Sequence, residues 1–293
     1  HLYTLRRHTV AVLAPGSAPI RVLHISDVHM APWQRRKQAW IASLASLRPD
    51  LIINTGDNLG HPDAVRGIRA AFAGFRGIPG AFVHGSNDLF ASAPRNPLRY
   101  FLGPSKNHSR EVRLDTEAMD SFFTSTLGWH DVNNAAATVD VHGRRVNLVG
   151  VNDAHRNWDR LDLLPGLFDQ LQAASTDLDG DGLADPEADP HPLTVAVTHA
   201  PYRRVLDAFT GAGADVIFGG HTHGGQVRVP GFGALVANCD IPLKQASGLS
   251  SWHRLGHTAA LNVSAGLGHS IYAPVRFACP PEASLLTLVA REA

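Results

Sequence analysis

Five short stretches of this 293-residue chain place carboxylates, imidazoles and an amide at spacings suited to metal coordination. In order they are Asp27-Val28-His29, Gly56-Asp57, Gly85-Ser86-Asn87-Asp88, His199 and Gly220-His221-Thr222-His223. Imidazole is the commonest side-chain metal ligand, and carboxylate oxygens extend the set toward a divalent cation held by mixed nitrogen and oxygen donors. No stretch decides the matter alone, because the chain holds 17 histidines and a nearby pair can simply face solvent. The weight lies in their recurrence at one kind of position.

That position is the exit of a short apolar run. Residues 20–26, 51–54, 80–84, 193–198 and 216–218 read as buried strands, and each gives way to polar residues. Helices are expected over 34–47, 63–75, 116–127 and 202–209. The first three strands, in strand-helix succession, imply parallel strands with right-handed crossovers, so their carboxyl ends lie along one edge and Asp27, His29, Asp57 and the 85–88 loop should meet. Side chains two apart at a strand end share a face, which would aim Asp27 and His29 at one ion. The same alternation makes His24 a core histidine rather than a ligand. The opening segment TLRRHTVAVLAPG, residues 4–16, reads as an edge strand ending at Pro15-Gly16. A hairpin is expected across His142-Gly143-Arg144, and its second strand exits at Asn152-Asp153-Ala154-His155, which puts Asp153 or His155 near a substrate. Short strands at 227–229, 234–237, 259–264 and 284–289 are expected to form a second sheet packed on the first.

Composition narrows the partners. Lys and Arg number 26 against 26 Asp and Glu, so no global field selects nucleic acid, and an anionic substrate must be held locally. Arg95, Arg99, Lys106 and Arg110, in a Pro-rich stretch, are candidates for that. No run of about 18 apolar residues spans a bilayer. The chain begins at His1, and an anchor or signal ahead of it would give membrane proximity; a membrane-associated or extracytoplasmic location is the expectation, with the cytoplasm as the alternative. Cys239 and Cys279 lack CxxC spacing, leaving a disulfide or two thiols. Asp177, Asp179, Asp181 and Asp185 follow the alternation of a calcium loop around Gly182, but Ala188 stands where a bidentate acid is needed. Residues 176–189 are therefore either an acidic turn or a calcium-binding insertion.

The ordered blocks DxH, GD, GSND, H and GHTH resemble the calcineurin-like metallophosphoesterase superfamily, and GHTHGGQ is closest to its bacterial membrane- or wall-associated branch. The resemblance implies an α/β fold over residues 1–293, a four-layer αββα sandwich of two mixed β-sheets flanked by helices. It implies two divalent ions, Mn, Fe or Zn: Asp27, His29 and His223 on the first, Asp57 bridging, and His199, His221 and an amide oxygen on the second. A water acidified between the ions would attack phosphorus in line, hydrolysing a phosphorylated small molecule, lipid or cell-wall substrate. The family's GNH reads Gly85-Ser86-Asn87 here. Without a gap, Ser86 takes the ligand position and Asn87 that of the catalytic His; a loop shift that lets Asn87 coordinate is favoured, since a hydroxyl replaces an amide poorly. Asp88, His84 or His155 would then replace the missing imidazole. A binding or scaffold protein with weak catalysis is the competing expectation, and a calcium-regulated extracytoplasmic protein is the third.

Overall fold

The computed structural model describes residues 2–91, 112–176, 192–269 and 275–292. Its strands are β1 (Thr4–Leu13), β2 (Ile20–Ile25), β3 (Leu51–Asn54), β4 (Gly80–Phe82), β5 (His130–Asp131), β6 (Ala136–Val141), β7 (Arg144–Val151), β8 (Leu193–Thr198) and β9 (Val216–Gly219). A two-stranded ribbon, β10 (Arg228–Val229) and β11 (Gly233–Ala234), precedes β12 (Gly248–Arg254), β13 (His257–Val263) and β14 (Glu282–Ala290). Two six-stranded sheets result, in the orders β1-β14-β2-β3-β4-β5 and β12-β13-β9-β8-β7-β6. Both mix parallel and antiparallel pairs.

Three apolar layers follow from strand alternation. Val22, Leu51, Ile53 and Leu286 of the first sheet meet Leu148, Val195, Val197 and Phe218 of the second in a shared middle layer. Leu23, Ile25 and Ile52 point the other way, against α1 (Arg35–Ser43), α2 (Ala64–Phe72) and α4 (Thr116–Ser121), which comes after the four-residue α3 (Ser86–Leu89) in chain order. Val149, Ala196, Ile217 and Leu261 face α5 (Leu164–Thr176) and α6 (Arg203–Gly211). The order helix, sheet, sheet, helix is the expected four-layer sandwich. Each fully buried Val, Leu or Ile contributes about 1.5–3 kcal/mol toward holding it. Among the described residues, no helix is long and apolar enough to cross a membrane.

The strands expected at 227–229 and 234–237 pair with each other in the separate β10-β11 ribbon and not in the second sheet, and three further departures from expectation have local causes. Residues 284–289 belong to the first sheet and not the second: β14 inserts between β1, to which it is parallel, and β2, to which it is antiparallel. Leu286 and Leu288 feed the middle layer while Ala283 and Leu285 feed the helix layer, as an interior strand must. Helix α5 is hidden in the sequence by Pro165-Gly166 in its first turn, a pair that usually marks a loop but that a helix start tolerates. Strand β12 is hidden by its polar, half-exposed edge sequence GLSSWHR.

Candidate metal centre

Strands β2, β3 and β4 are mutually parallel, as are β8 and β9, so each group ends along one edge. Asp27 and Asp57 come from the first sheet and His199, His221 and His223 from the second. They meet across the gap. His29 Nε2 and His199 Nε2 lie 3.5 and 3.6 Å from Asp57 Oδ2, and His223 Nε2 lies 3.6 Å from Asp27 Oδ1. His29 Nε2 stands 3.3 Å from His223 Nε2, and His199 Nε2 stands 3.2 Å from His221 Nδ1. Two donor sets emerge, Asp27-His29-His223 and Asp27-Asp57-His199, each with its atoms within 4.8 Å of one another.

Strand alternation does not produce this convergence. Strand β2 stops at Ile25, and the backbone then turns into the left-handed region at Asp27 (φ 48°) and His29 (φ 42°). Asp57 (φ 55°), His221 (φ 66°) and His223 (φ 49°) do the same. Such conformations cost a non-glycine residue on the order of 1 kcal/mol or more each, and they gather where surrounding contacts over-determine the chain. Those contacts are visible. The N–H groups of Asp27 and His29 donate to the carbonyls of Gly56 and Asp57, both at 2.9 Å. The buried Lys37 ammonium donates to the Val28 carbonyl at 2.6 Å.

Asp88 is part of the same scaffold. Its carboxylate accepts from the backbone N–H of Asp57 (2.8 Å), Asn58 (2.6 Å), Leu59 (3.1 Å) and Gly85 (3.1 Å). Those bonds occupy the acid expected near the reacting atoms, and burial pushes it up to about 6. His84 is likewise engaged, with Nε2 2.8 Å from Asp120 and Nδ1 3.2 Å from Asn133. Asn87 does reach the centre: its N–H donates to Asp57 Oδ1 at 2.9 Å and its Nδ2 to Asp57 Oδ2 at 2.7 Å. Ser86 instead donates its N–H to Asp153 at 3.0 Å. Asp153, fully buried, also accepts from the N–H of His155 at 2.8 Å, tying the two loops together. The His155 ring packs 4.5 Å from that of His221, and its Nδ1 lies 3.0 Å from the Tyr202 hydroxyl.

The donors fit a cationic ligand. Burial drives His29 down to about 4 and His221 and His223 well below the usual imidazole range, which is the neutral, ligating form. Burial also opposes charge on His199, but Asp57, Asp153 and Asp27 outweigh it and raise it to about 9. Burial raises Asp27 to about 7. A proton on His199 is thus the positive charge these carboxylates attract when left to themselves. Because His199 Nδ1 donates to the Thr55 carbonyl at 2.7 Å, its Nε2 is the nitrogen that points inward, as in metal sites whose histidines are oriented by a carbonyl. Two carboxylates and four imidazoles crowded at 3.2–3.6 Å are suited to a divalent cation.

Several contributors have no counterpart among the sequence motifs. Arg276 donates through Nη2 to the carbonyls of Ala265 (2.6 Å) and Gly268 (2.5 Å) and lies 3.3 Å from His223 Nδ1. The Asn238 carbonyl sits 3.2 Å from His221 Nε2. Neither residue belongs to a motif, and only the folded chain brings them in. Both cysteines are free thiols, and Cys279 points at the His223 carbonyl. The expected calcium ligands Asp177, Asp179, Asp181 and Asp185, and the basic residues Arg95, Arg99, Lys106 and Arg110, lie outside the described residues.

Residues 20–225 match the profile of the calcineurin-like phosphoesterases. The chain belongs to this family. It is 24% identical over 290 residues to the phosphodiesterase YaeI of Escherichia coli K12, covering 98% of this chain and 88% of that protein. Among solved structures, it is similar to the Haemophilus influenzae NAD nucleotidase NadN (10% identity, TM-score 0.47, 85% of this chain and 51% of that one). It is also similar to a 5'-nucleotidase precursor from Thermus thermophilus (14% identity, TM-score 0.43, 93% and 55%). Family membership and the clustered donors together support metal-dependent phosphoester hydrolysis.

Proposed function

We propose that this chain is a binuclear metal-dependent phosphodiesterase acting on phosphoesters of small molecules, lipids or cell-wall components. The observation that carries it is one buried carboxylate oxygen, Asp57 Oδ2, lying 3.5 Å from His29 Nε2 of one donor set and 3.6 Å from His199 Nε2 of the other. Asp27, His29 and His223 would hold one ion, Asp57 would bridge, and His199, His221 and Asn87 would hold the second. Manganese, iron and zinc suit these donors. Ions bound there would draw charge from the phosphoryl oxygens and acidify a water for attack at phosphorus.

The chain's own residues do the positioning. Asn87 reaches Asp57 with both its N–H and its amide, and turning that amide presents Oδ1 in place of Nδ2 at the same spot. Gly85 permits this close approach, since a Cβ there would stand 2.1 Å from Asp57 Oδ1. His155 takes the proton-donor role that the absent family imidazole leaves open, because Asp88 and His84 are committed elsewhere. Asp153 fixes its backbone and Tyr202 its Nδ1. Transfer of a proton to the leaving oxygen is worth roughly 100- to 10,000-fold, most where the leaving group is a poor one.

The test is hydrolysis of bis-aryl and mono-aryl phosphates by the manganese-loaded protein, with metal content measured alongside. Turnover of the diester is expected. Two bound ions with no hydrolysis of either ester would favour the second reading, a binding protein, which rests on the absence of the family's histidine from the Gly85-Ser86-Asn87-Asp88 loop. His155→Ala is expected to slow a diester with an alkyl leaving group far more than one with a nitrophenyl group; equal losses would remove His155 from proton transfer.

A further inference from the structure

Behind Asp27 runs a line of polar side chains cut off from solvent: Ser26, Thr55, His24 and Asn262, each 0% exposed. Asn262 Nδ2 lies 2.8 Å from His24 Nδ1, His24 Nε2 lies 2.9 Å from Thr55 Oγ1, Thr55 Oγ1 lies 2.6 Å from Ser26 Oγ, and Ser26 Oγ lies 2.5 Å from Asp27 Oδ2. The direction of every bond follows from the charge at one end. As a metal ligand Asp27 is ionised and only accepts, so the Ser26 hydroxyl proton is committed to it. Thr55 must then donate to Ser26, His24 must donate from Nε2 to Thr55, and a neutral His24 must accept at Nδ1 from the Asn262 amide.

The core bears a cost for this direction. Among the described residues, the amide oxygen of Asn262 is buried without a hydrogen-bond partner, a destabilising arrangement. Rotating the amide would satisfy nothing further along: it would require the proton on His24 Nδ1, send the Thr55 proton to His24 Nε2, and leave the 2.6 Å contact between Thr55 and Ser26 without one. Burial pushes His24 down to about 3, so it is neutral as the line requires. Gly220 closes over the far side, where a Cβ would stand 2.1 Å from Ser26 Oγ and 2.6 Å from Asp27 Oδ2. Asp27 Oδ2 also accepts from the His221 N–H at 3.0 Å, while Oδ1 is the oxygen that faces His223.

We infer that His24 is a positioning residue for the metal centre: as its Nε2–H tautomer it fixes, through Thr55 and Ser26, which oxygen of Asp27 faces the cations. The inference rests on Asp27 being a metal ligand, as proposed above. Thr55 serves both sheets, since its hydroxyl feeds Asp27 while its carbonyl orients His199.

The experiment is calorimetric titration of manganese into the metal-stripped full chain and its variants. Thr55→Val, which keeps the shape and deletes the hydroxyl, is expected to weaken binding by about 10- to 100-fold, the usual loss when an outer partner of a ligand is removed. Ser26→Ala deletes one hydroxyl and answers the same question if Thr55→Val does not fold. The double variant is expected to bind no more weakly than the worse single, because a line broken once is already broken. His24→Gln, which retains a donor, is expected to bind more tightly than His24→Phe. Wild-type affinity in both Thr55→Val and Ser26→Ala, or losses that multiply in the double variant, would overturn the inference alone. A wild-type chain that binds no manganese would overturn the metal assignment and the inference with it.

Discussion

Gly85→Ala tests the geometry of the centre with a single methyl group. At φ −100° and ψ 168° the backbone of Gly85 is extended and open to alanine, so no conformational strain enters. The cost is steric. A Cβ would lie 2.1 Å from Asp57 Oδ1 and 2.7 Å from both Asp57 Cγ and His199 Cε1. Relief to even a tight 3.0 Å contact moves the Asp57 carboxylate by about 0.9 Å, away from the position that His29, His199 and Asn87 share. Misplacement of about 1 Å in a catalytic constellation costs on the order of 100-fold. The assay is kcat/KM on a bis-aryl phosphate with manganese, together with metal content by elemental analysis. Gly166→Ala is the control: it sits exposed in α5 with nothing within 4 Å of its Cβ, and it should stabilise the helix by about 0.5–1 kcal/mol with activity unchanged. A Gly85→Ala protein with two ions and wild-type turnover would refute the assignment of Asp57 to a shared centre.

Asp57→Asn removes the charge between the donor sets and is expected to abolish binding of both ions; metal content equal to wild type would contradict it. Asn87→His is expected to lower metal content from two ions toward one, measured by the same analysis, whereas undiminished content with faster turnover would show that Asn87 fills the family's histidine position. His24 gives a pH signature in the metal-free protein. Folded, it stays neutral down to about 3, while in the unfolded chain it takes a proton near the ordinary imidazole value of about 6.5. The unfolded state therefore binds more protons between those values, and this contribution to stability, complete above about pH 6.5, falls by about 1.4 kcal/mol per unit as pH drops toward 3. Urea titrations from pH 6.5 to 4.5 should show a shallower dependence in His24→Gln, and identical slopes would count against a neutral buried imidazole.

The strands that deliver the centre are legible because each is an apolar run with an abrupt polar exit, and a parallel arrangement forces such exits onto one edge. The direction in which Asp27 and His29 point is not legible in that way. Alternation accounts for residues inside β2, but these two lie past its end in left-handed backbone held by Gly56, Asp57 and Lys37, contacts that no local pattern announces. Asp88 is legible as an acid but not as a staple, because its four donors belong to backbone N–H groups, which have no sequence signature. His24 is recognisable as a core histidine; that its partners form a line ending at Asp27 depends on Asn262, 238 residues away. The placement of β14 in the first sheet escapes the sequence for a related reason: alternation fixes which faces a strand buries, not which neighbour it chooses.

The seating of β14 bears on how the molecule comes into being. With it wedged between β1 and β2, strand β1 has no partner in its sheet until residues 282–290 arrive. During synthesis that ten-residue strand must wait, unzipped, while everything between the two is made. Strand β14 is the buckle of the belt: a chain cut short before it would leave two bare strand edges side by side, an invitation to pair with another molecule instead of with itself.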